Sequence, residues 1–305
     1  MEPLKIVYIA GSGRTGSTIL GQLLDMVDGV FFGGELIDFW QRGLLENRLC
    51  GCGLVASHCQ VWGEVVRFTA HEVGSAAAQA MVRARANATV RDLVPSKAEA
   101  LVAYPEWYVQ NSRLLYRTIQ RVTGSQIIVD SSKFTHYAKV LVAMDTVDLH
   151  LVHLVRDPRA VAYSWSKKKH FPDPSGTLAV PQFGPIGSTV RWIVRNRSAK
   201  ALGRTLGSRY YLLRYEDYIR EPSAYLEPIL EQLGLTHAHR WAAGPNQLSL
   251  PTSHALWGNP SRFLSGEAIL SPDEAWRTRL PRWKQRLVAA LAAPWLAEYG
   301  YDRKS

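Results

Sequence analysis

Apolar positions along the chain alternate between short β-branched runs and stretches with helical spacing. Lys5-Ile6-Val7-Tyr8-Ile9-Ala10 is a run of the first kind that stops at Gly11, and beyond Gly16 the residues Thr18-Ile19-Leu20, Leu23-Leu24 and Val27 recur at helical intervals. The order is strand, glycine loop, helix. Val30-Phe31-Phe32 predicts a second short strand ending in Gly33-Gly34, with a helix opening near Glu35 or Leu36. Residues from about 62 to 123 are rich in Ala and Arg and keep a helical pattern broken at Pro95 and Pro105, which predicts a helical insertion.

Farther along, Gln126–Asp130 predicts a strand, Tyr137–Met144 a helix, and Leu149–Val155 a strand that runs into Arg156-Asp157-Pro158. There Asp157 is suited to cap a helix whose first residue is Pro158. Residues 166–188 hold four prolines, three glycines and Lys167-Lys168-Lys169, and they predict a long exposed loop placed to act as a lid. A helix from about 188 to 206, a strand at Tyr210–Arg214 and a helical stretch from Tyr215 to about Leu233 follow, and an amphipathic helix lies around Pro281–Ala293. Repeated alternation of strand and helix predicts an α/β fold whose central parallel sheet is covered by helices on both faces. No internal repeat or low-complexity tract interrupts it.

The length, 305 residues with 47% hydrophobic and 20% charged, suits a globular chain, taken here as one domain over 1–305. No apolar run approaches the roughly 18 residues of a bilayer span, and the start at Met1 shows no secretory pattern, so the expectation is a cytoplasmic protein. Three cysteines, Cys50, Cys52 and Cys59, fall in one short stretch, which is no disulfide framework. A formal charge of +10 predicts attraction to anions. The basic residues form no tail, stripe or interleaved aromatic pattern of a nucleic-acid binder, so a small polyanion is the expected ligand and nucleic acid is not.

The loop Gly11-Ser12-Gly13-Arg14-Thr15-Gly16-Ser17-Thr18 joins the first strand to the first helix, where exposed amides and the positive helix end favour a phosphate. Gly11 and Gly16 fit the Walker A spacing, but Ser17 stands where its lysine belongs, which argues against a lysine-dependent nucleotidase. The loop resembles the 5′-phosphosulfate loop of sulfotransferases that use 3′-phosphoadenosine 5′-phosphosulfate (PAPS). Leu154-Val155-Arg156-Asp157-Pro158, followed by Ser164, resembles that family's 3′-phosphate motif. Gly33-Gly34-Glu35-Leu36, Asp130-Ser131-Ser132-Lys133, Leu213-Arg214-Tyr215-Glu216-Asp217, Trp257–Phe263 and the Cys-Gly-Cys-Gly segment are similar to bacterial members.

The resemblance implies a P-loop NTPase-like sulfotransferase fold, PAPS as co-substrate, adenosine 3′,5′-bisphosphate (PAP) as product, and a hydroxyl-bearing small-molecule acceptor. It implies that Gly13, Arg14, Thr15, Gly16, Ser17 and Thr18 bind the 5′ side, that Arg156 and Ser164 bind the 3′-phosphate, and that Arg262 is a further cofactor-binding residue. Glu35 is the candidate general base, and Lys133 and Arg14 are the candidate cations at the transferring group, with no metal required. The cytosolic aryl and steroid branch has instead a loop lysine, a histidine base and a C-terminal Arg-Lys-Gly motif, so its acceptor rules do not carry over.

Plainer roles compete for these residues: a helix-start acid for Glu35, a solvated lysine for Lys133, a capping Arg-Asp pair for Arg156. With His58 nearby, the three cysteines suggest zinc, but C-x-C-x6-C lacks paired C-x2-C knuckles, and buried thiols or an occasional disulfide are the expectation. His136, near Lys133, is read as surface or packed with an acceptor-facing role as the alternative, and Trp107, Tyr108, Trp165 and Trp192 as core with an acceptor-pocket lining as the alternative. A P-loop kinase using ATP and a non-catalytic nucleotide-binding module are the alternative functions. Nothing in the sequence decides between a monomer and a homo-oligomer.

Overall fold

Residues 3–92, 104–174, 176–235 and 247–302 are described by a computed structural model. Strand β1 (Leu4–Gly11) is buried over nearly its whole length because both of its faces are covered. Ile6, Tyr8 and Ala10 enter one core cluster and Val7 and Ile9 the other, so a continuous apolar run divides by alternation between two faces. Helix α1 (Ser17–Asp25) follows, packing Leu20, Leu23 and Leu24 into the second cluster, and β2 (Val30–Gly34) returns. The helix expected after Glu35 is a 3₁₀ turn at Leu36–Asp38 followed by wide π-type turns over Phe39–Leu45. Side chains from a distant strand capture its first amides, which a regular helix start would leave to local caps.

The insertion consists of α2 (Trp62–Asp92), kinked at Gly74, and α3 (Glu106–Thr123); Pro95 lies outside the described residues and Pro105 caps α3. Next come β3 (Ile127–Lys133), α4 (Thr135–Val142), β4 (Val147–Val155) and α5 (Pro158–Ser166), with the Asp157 carboxylate accepting from the Arg159 amide as the expected cap. Residues 166–188 are not a plain loop. They carry an antiparallel hairpin, β5 (His170–Asp173) with β6 (Gly176–Ala179), and helix α6 already begins at Pro185 and runs to Leu206. A two-stranded ribbon tolerates Pro172 because one side of each strand is a free edge. β7 (Tyr210–Arg214), α7 (Tyr215–Arg220) and α8 (Pro222–Gln232) complete the unit, and Glu221-Pro222 splits the helical stretch expected there.

The five long strands form one parallel sheet in the order β2-β3-β1-β4-β7. From β1 the chain crosses toward β2, and from β4 it crosses toward β7, so the switch point lies between β1 and β4, where open α/β sheets bind ligands. Register shifts mark the carboxyl ends of β1, β2 and β3: between Tyr8 and Ala10 the partners are Asp130 and Lys133, and Phe32 and Gly34 straddle another shift. Such bulges re-aim strand ends. Two further short strands, β8 (Gln247–Leu250) and β9 (Gly266–Ile269), pair with each other near the C-terminus. No described helix is long and apolar enough to cross a membrane.

Candidate functional site

Gly16, at the N-cap of α1, has φ +88°, and a Cβ there would lie 2.5 Å from Tyr215; only glycine fits both demands. The Gly16 carbonyl accepts from the Tyr218 hydroxyl at 2.9 Å, and Thr15 Oγ1 donates to the Ser12 carbonyl at 2.9 Å, so the loop is held from both sides. Ser17 and Thr18 are buried in the first turn of α1, which contains no acidic residue. The helix itself therefore brings no carboxylate to the free amides at this end. A Cβ on Gly13 would meet Trp165 at 2.8 Å, and the Arg14 guanidinium lies 4.6 Å from the Trp165 ring centroid. Arg14 occupies the left-handed region at φ +68°, its buried Nε has no hydrogen-bond partner, and burial lowers its pKa. A non-glycine residue held in this conformation with an unsatisfied donor is a strained arrangement of the kind found at ligand sites.

At the end of β4, Arg159 pairs with the buried Asp157 at 2.6 Å, which leaves Arg156 free of the capping role. Arg156 turns to the loop instead. Its Nη1 donates to the Arg14 carbonyl at 3.2 Å, its Nη2 donates to the Asp273 carbonyl at 2.9 Å, its plane covers Tyr215, and its buried Nε has no partner. The half-exposed Asp273 carboxylate lies 3.4 Å from Nη2 and 3.9 Å from Lys167 Nζ. Ser164 is buried on α5, the helix that Arg156 precedes. Burial, then the positive charges of Arg14, Lys167 and Arg156, lower the pKa of Lys169. Four cations thus converge between the ends of β1 and β4, where a buried anion would relieve their repulsion and desolvation.

On the other side of β1, Lys133 Nζ donates to Glu35 Oε1 at 2.5 Å and to the Ser131 carbonyl at 2.8 Å. Lys133 also has a left-handed backbone, φ +70°, and its side chain is 9% exposed against 18% for Glu35, which refutes a solvated lysine. Asp130 builds the support. Its carboxylate accepts from the Tyr116 hydroxyl, the Ser132 amide and hydroxyl and the Leu36 amide, while Ser132 Oγ accepts from the Ile37 amide at 2.9 Å. Burial raises the pKa of Asp130 to about 6. From behind, the Glu35 amide donates to the Trp257 carbonyl at 3.2 Å, and a Cβ on Gly258 would lie 3.3 Å from Glu35 Oε1 and 3.7 Å from Thr18 Oγ1. Glu35 therefore adjoins the start of α1.

Arg262 is buried in the wall behind Glu35, with Nη1 3.4 Å from the Gly258 carbonyl and Nη2 3.4 Å from the Leu49 carbonyl. Burial, opposed by the charges of Cys50 and Glu35, lowers its pKa to about 10. Arg262 thus stands on the Glu35 side of the site. His136 is packed, its Nδ1 2.7 Å from the Tyr104 hydroxyl, and Tyr108 and Trp192 are core as expected, whereas Trp107 is exposed. Trp165, Lys167, Lys169, Tyr215 and Asp273 also join the site; Tyr215 lies in the Leu213–Asp217 motif and the lysines in the basic run 167–169, whereas Trp165 reads as core and Asp273 carries no local signal.

The chain spans less than half the length of the curated relatives it matches. One of these, human carbohydrate sulfotransferase 6, is 30% identical over 173 residues, 53% of this chain and 44% of the relative. Two solved structures share the fold over 99% of the chain. The sulfotransferase domain of the Synechococcus PCC 7002 olefin synthase has a TM-score of 0.54 at 22% identity, over 96% of that domain. The sulfotransferase domain from the curacin biosynthetic pathway has a TM-score of 0.52 at 17% identity, over 99% of that domain. The Sulfotransferase family model matches residues 7–239, a stretch that runs from β1 past β7 and includes the glycine loop, Glu35, Lys133 and Arg156; the chain belongs to the sulfotransferase family.

Proposed function

We propose that the chain transfers a sulfuryl group from PAPS to the hydroxyl of a small-molecule acceptor and releases PAP. The observation that carries this reading is the convergence of Arg14, Arg156, Lys167 and Lys169 beside an acid-free helix start, with two guanidinium nitrogens buried and unpartnered. These residues fit a nucleotide bearing two separate phosphates. The amides of Thr15 to Thr18 would hold the 5′-phosphate, and Arg156 with Ser164 the 3′-phosphate. When bound, PAPS supplies a sulfuryl group activated by its bond to phosphate.

The chain's own residues do the rest. Glu35, held by the Lys133 ammonium at 2.5 Å, takes the proton of the attacking hydroxyl at its carboxylate. Lys133 and Arg14 place fixed positive charge where negative charge develops, the role a magnesium ion has in phosphoryl transfer. Arg262 positions the segment behind Glu35. The helical insertion 62–123 and the hairpin at 170–179 would shape the acceptor side, as segments added to a scaffold commonly do. A hydroxyl-bearing acceptor accords with the names of the relatives, which include a carbohydrate sulfotransferase and domains of biosynthetic assemblies.

The test uses PAPS labelled in its sulfate and a panel of phenols, sugars and alcohols, without added magnesium. Transfer that falls by roughly 10²- to 10⁴-fold in Glu35→Gln, with PAP affinity retained, is the expected result. Magnesium-dependent loss of the terminal phosphate of ATP, or PAP binding with no transfer to any of the panel, would refute it.

A further inference from the structure

We propose that Cys50, Cys52, Cys59 and His254 form a closed tetrahedral site for one structural zinc ion. Their ligand atoms all lie within 4.8 Å of one another. Cys59 Sγ is 3.6 Å from Cys50 Sγ and 3.3 Å from His254 Nδ1, and Cys50 Sγ is 3.7 Å from the same nitrogen. With Zn–S near 2.3 Å and Zn–N near 2.0–2.1 Å, the edges of a tetrahedron come to roughly 3.8 Å between sulfurs and about 3.6 Å from sulfur to nitrogen. The three separations are close to those edges. Cys50 and Cys59 are buried, and all three thiols are free, so the sulfurs meet without being joined.

The surroundings are those of a ligand set. Cys50-Gly51-Cys52-Gly53 turns back on itself: the Gly53 amide donates to the Cys50 carbonyl, and Gly53 has φ +85°. Trp62 Nε1 donates to the His254 carbonyl at 2.6 Å, and the Gln60 side-chain amide lies 3.1 Å from His254 Nε2. With Nδ1 on the metal, Nε2 carries the proton and the Gln60 amide turns its oxygen to accept it. His58, the histidine nearest the cysteines in sequence, is exposed and takes no part. Three sulfurs and one imidazole nitrogen suit zinc and leave no open position for catalysis.

The ion would tie the Cys50–Cys59 turn to the segment behind Glu35. From His254 the chain passes to Ala255, whose carbonyl accepts from the Gly51 amide at 3.0 Å, then to Leu256, bonded to the Gly33 carbonyl, and Trp257, bonded to the Glu35 amide. The site therefore braces that segment whatever the substrate is.

Metal analysis of the full chain, purified without chelator, is expected to give about one zinc per chain, and cobalt exchange to give the intense visible bands of a tetrahedral thiolate site. In Cys59→Ser the zinc content should fall at least ~10-fold, while His254→Cys, which keeps four ligands, should retain it. Less than about 0.1 equivalent of zinc in folded wild-type protein that also takes up no cobalt would overturn the proposal. So would an intact mass showing a Cys50–Cys59 disulfide. Both of these refuting results come from the unmodified chain, so they stand even if the variants misfold, and neither depends on transferase activity.

Discussion

Arg156→Gln separates the two halves of the proposed nucleotide site. In the free protein, Arg156 Nη2 is engaged by Asp273, Nη1 holds the Arg14 carbonyl, and Nε is buried without a partner. A phosphate at this place would satisfy Nε and replace a half-exposed carboxylate with a group of greater charge. Satisfying a buried donor is worth about 1–3 kcal/mol, and a hydrogen bond to a charged group about 1.5–3 kcal/mol. Part of that gain is lost in displacing Asp273, so a net of about 2–3 kcal/mol is expected, or roughly 30- to 150-fold in Kd. Calorimetric titration with PAP and with adenosine 5′-phosphate isolates the effect, because only PAP carries the 3′-phosphate. The variant should lose most of its preference for PAP and keep its affinity for the monophosphate. Equal weakening toward both ligands would mean that Arg156 serves only to hold the Arg14 carbonyl. Unchanged affinity for both, with an unchanged Tm, would remove the 3′-phosphate from this place altogether.

The opposite change is expected of Asp273→Asn. Removing a carboxylate that competes for Arg156 and Lys167 should tighten PAP binding about 1.4- to 5-fold, corresponding to the ~0.2–1 kcal/mol of an exposed pair, and weaker binding in the same titration would contradict the placement. His153 tests the core. Burial lowers its pKa from 6.5 to about 4, so the folded state disfavours the proton and stability falls as pH drops below 6.5, until about pH 4. At pH 5 the loss is about 2 kcal/mol, and His153→Gln should reduce the fall in urea-measured stability between pH 7 and pH 5 by about that amount. Identical pH slopes in the two proteins would show that His153 does not titrate in this way.

The parts of the molecule legible in the sequence are those fixed by short-range chemistry. Strand β1, the glycine loop and α1 follow from an apolar run, Gly11 and Gly16, and helical spacing; the turn after β4 follows from Asp157 and Pro158. The departures arise where distant groups decide. The chain after Glu35 forms 3₁₀ and π-type turns because Asp130 and Ser132, nearly a hundred residues away, take the amides of Leu36 and Ile37. Asp273 meets Arg156, and His254 meets the cysteines, across still longer stretches of chain. No spacing rule reaches that far. The lysines at 167 and 169 were visible as charge, but their direction depends on the hairpin that follows, whose pairing a stretch rich in proline concealed.

One long-range contact bears on how the protein comes into being. The peptide carrying Glu35 is synthesised more than two hundred residues before its backing, from Leu256 to Gly258. The glycine loop and the Arg156 turn can assemble as soon as their strands pair, since each lies within a contiguous strand–helix unit. A nascent chain can thus begin to form these two turns before the Glu35 carboxylate gains its final seat.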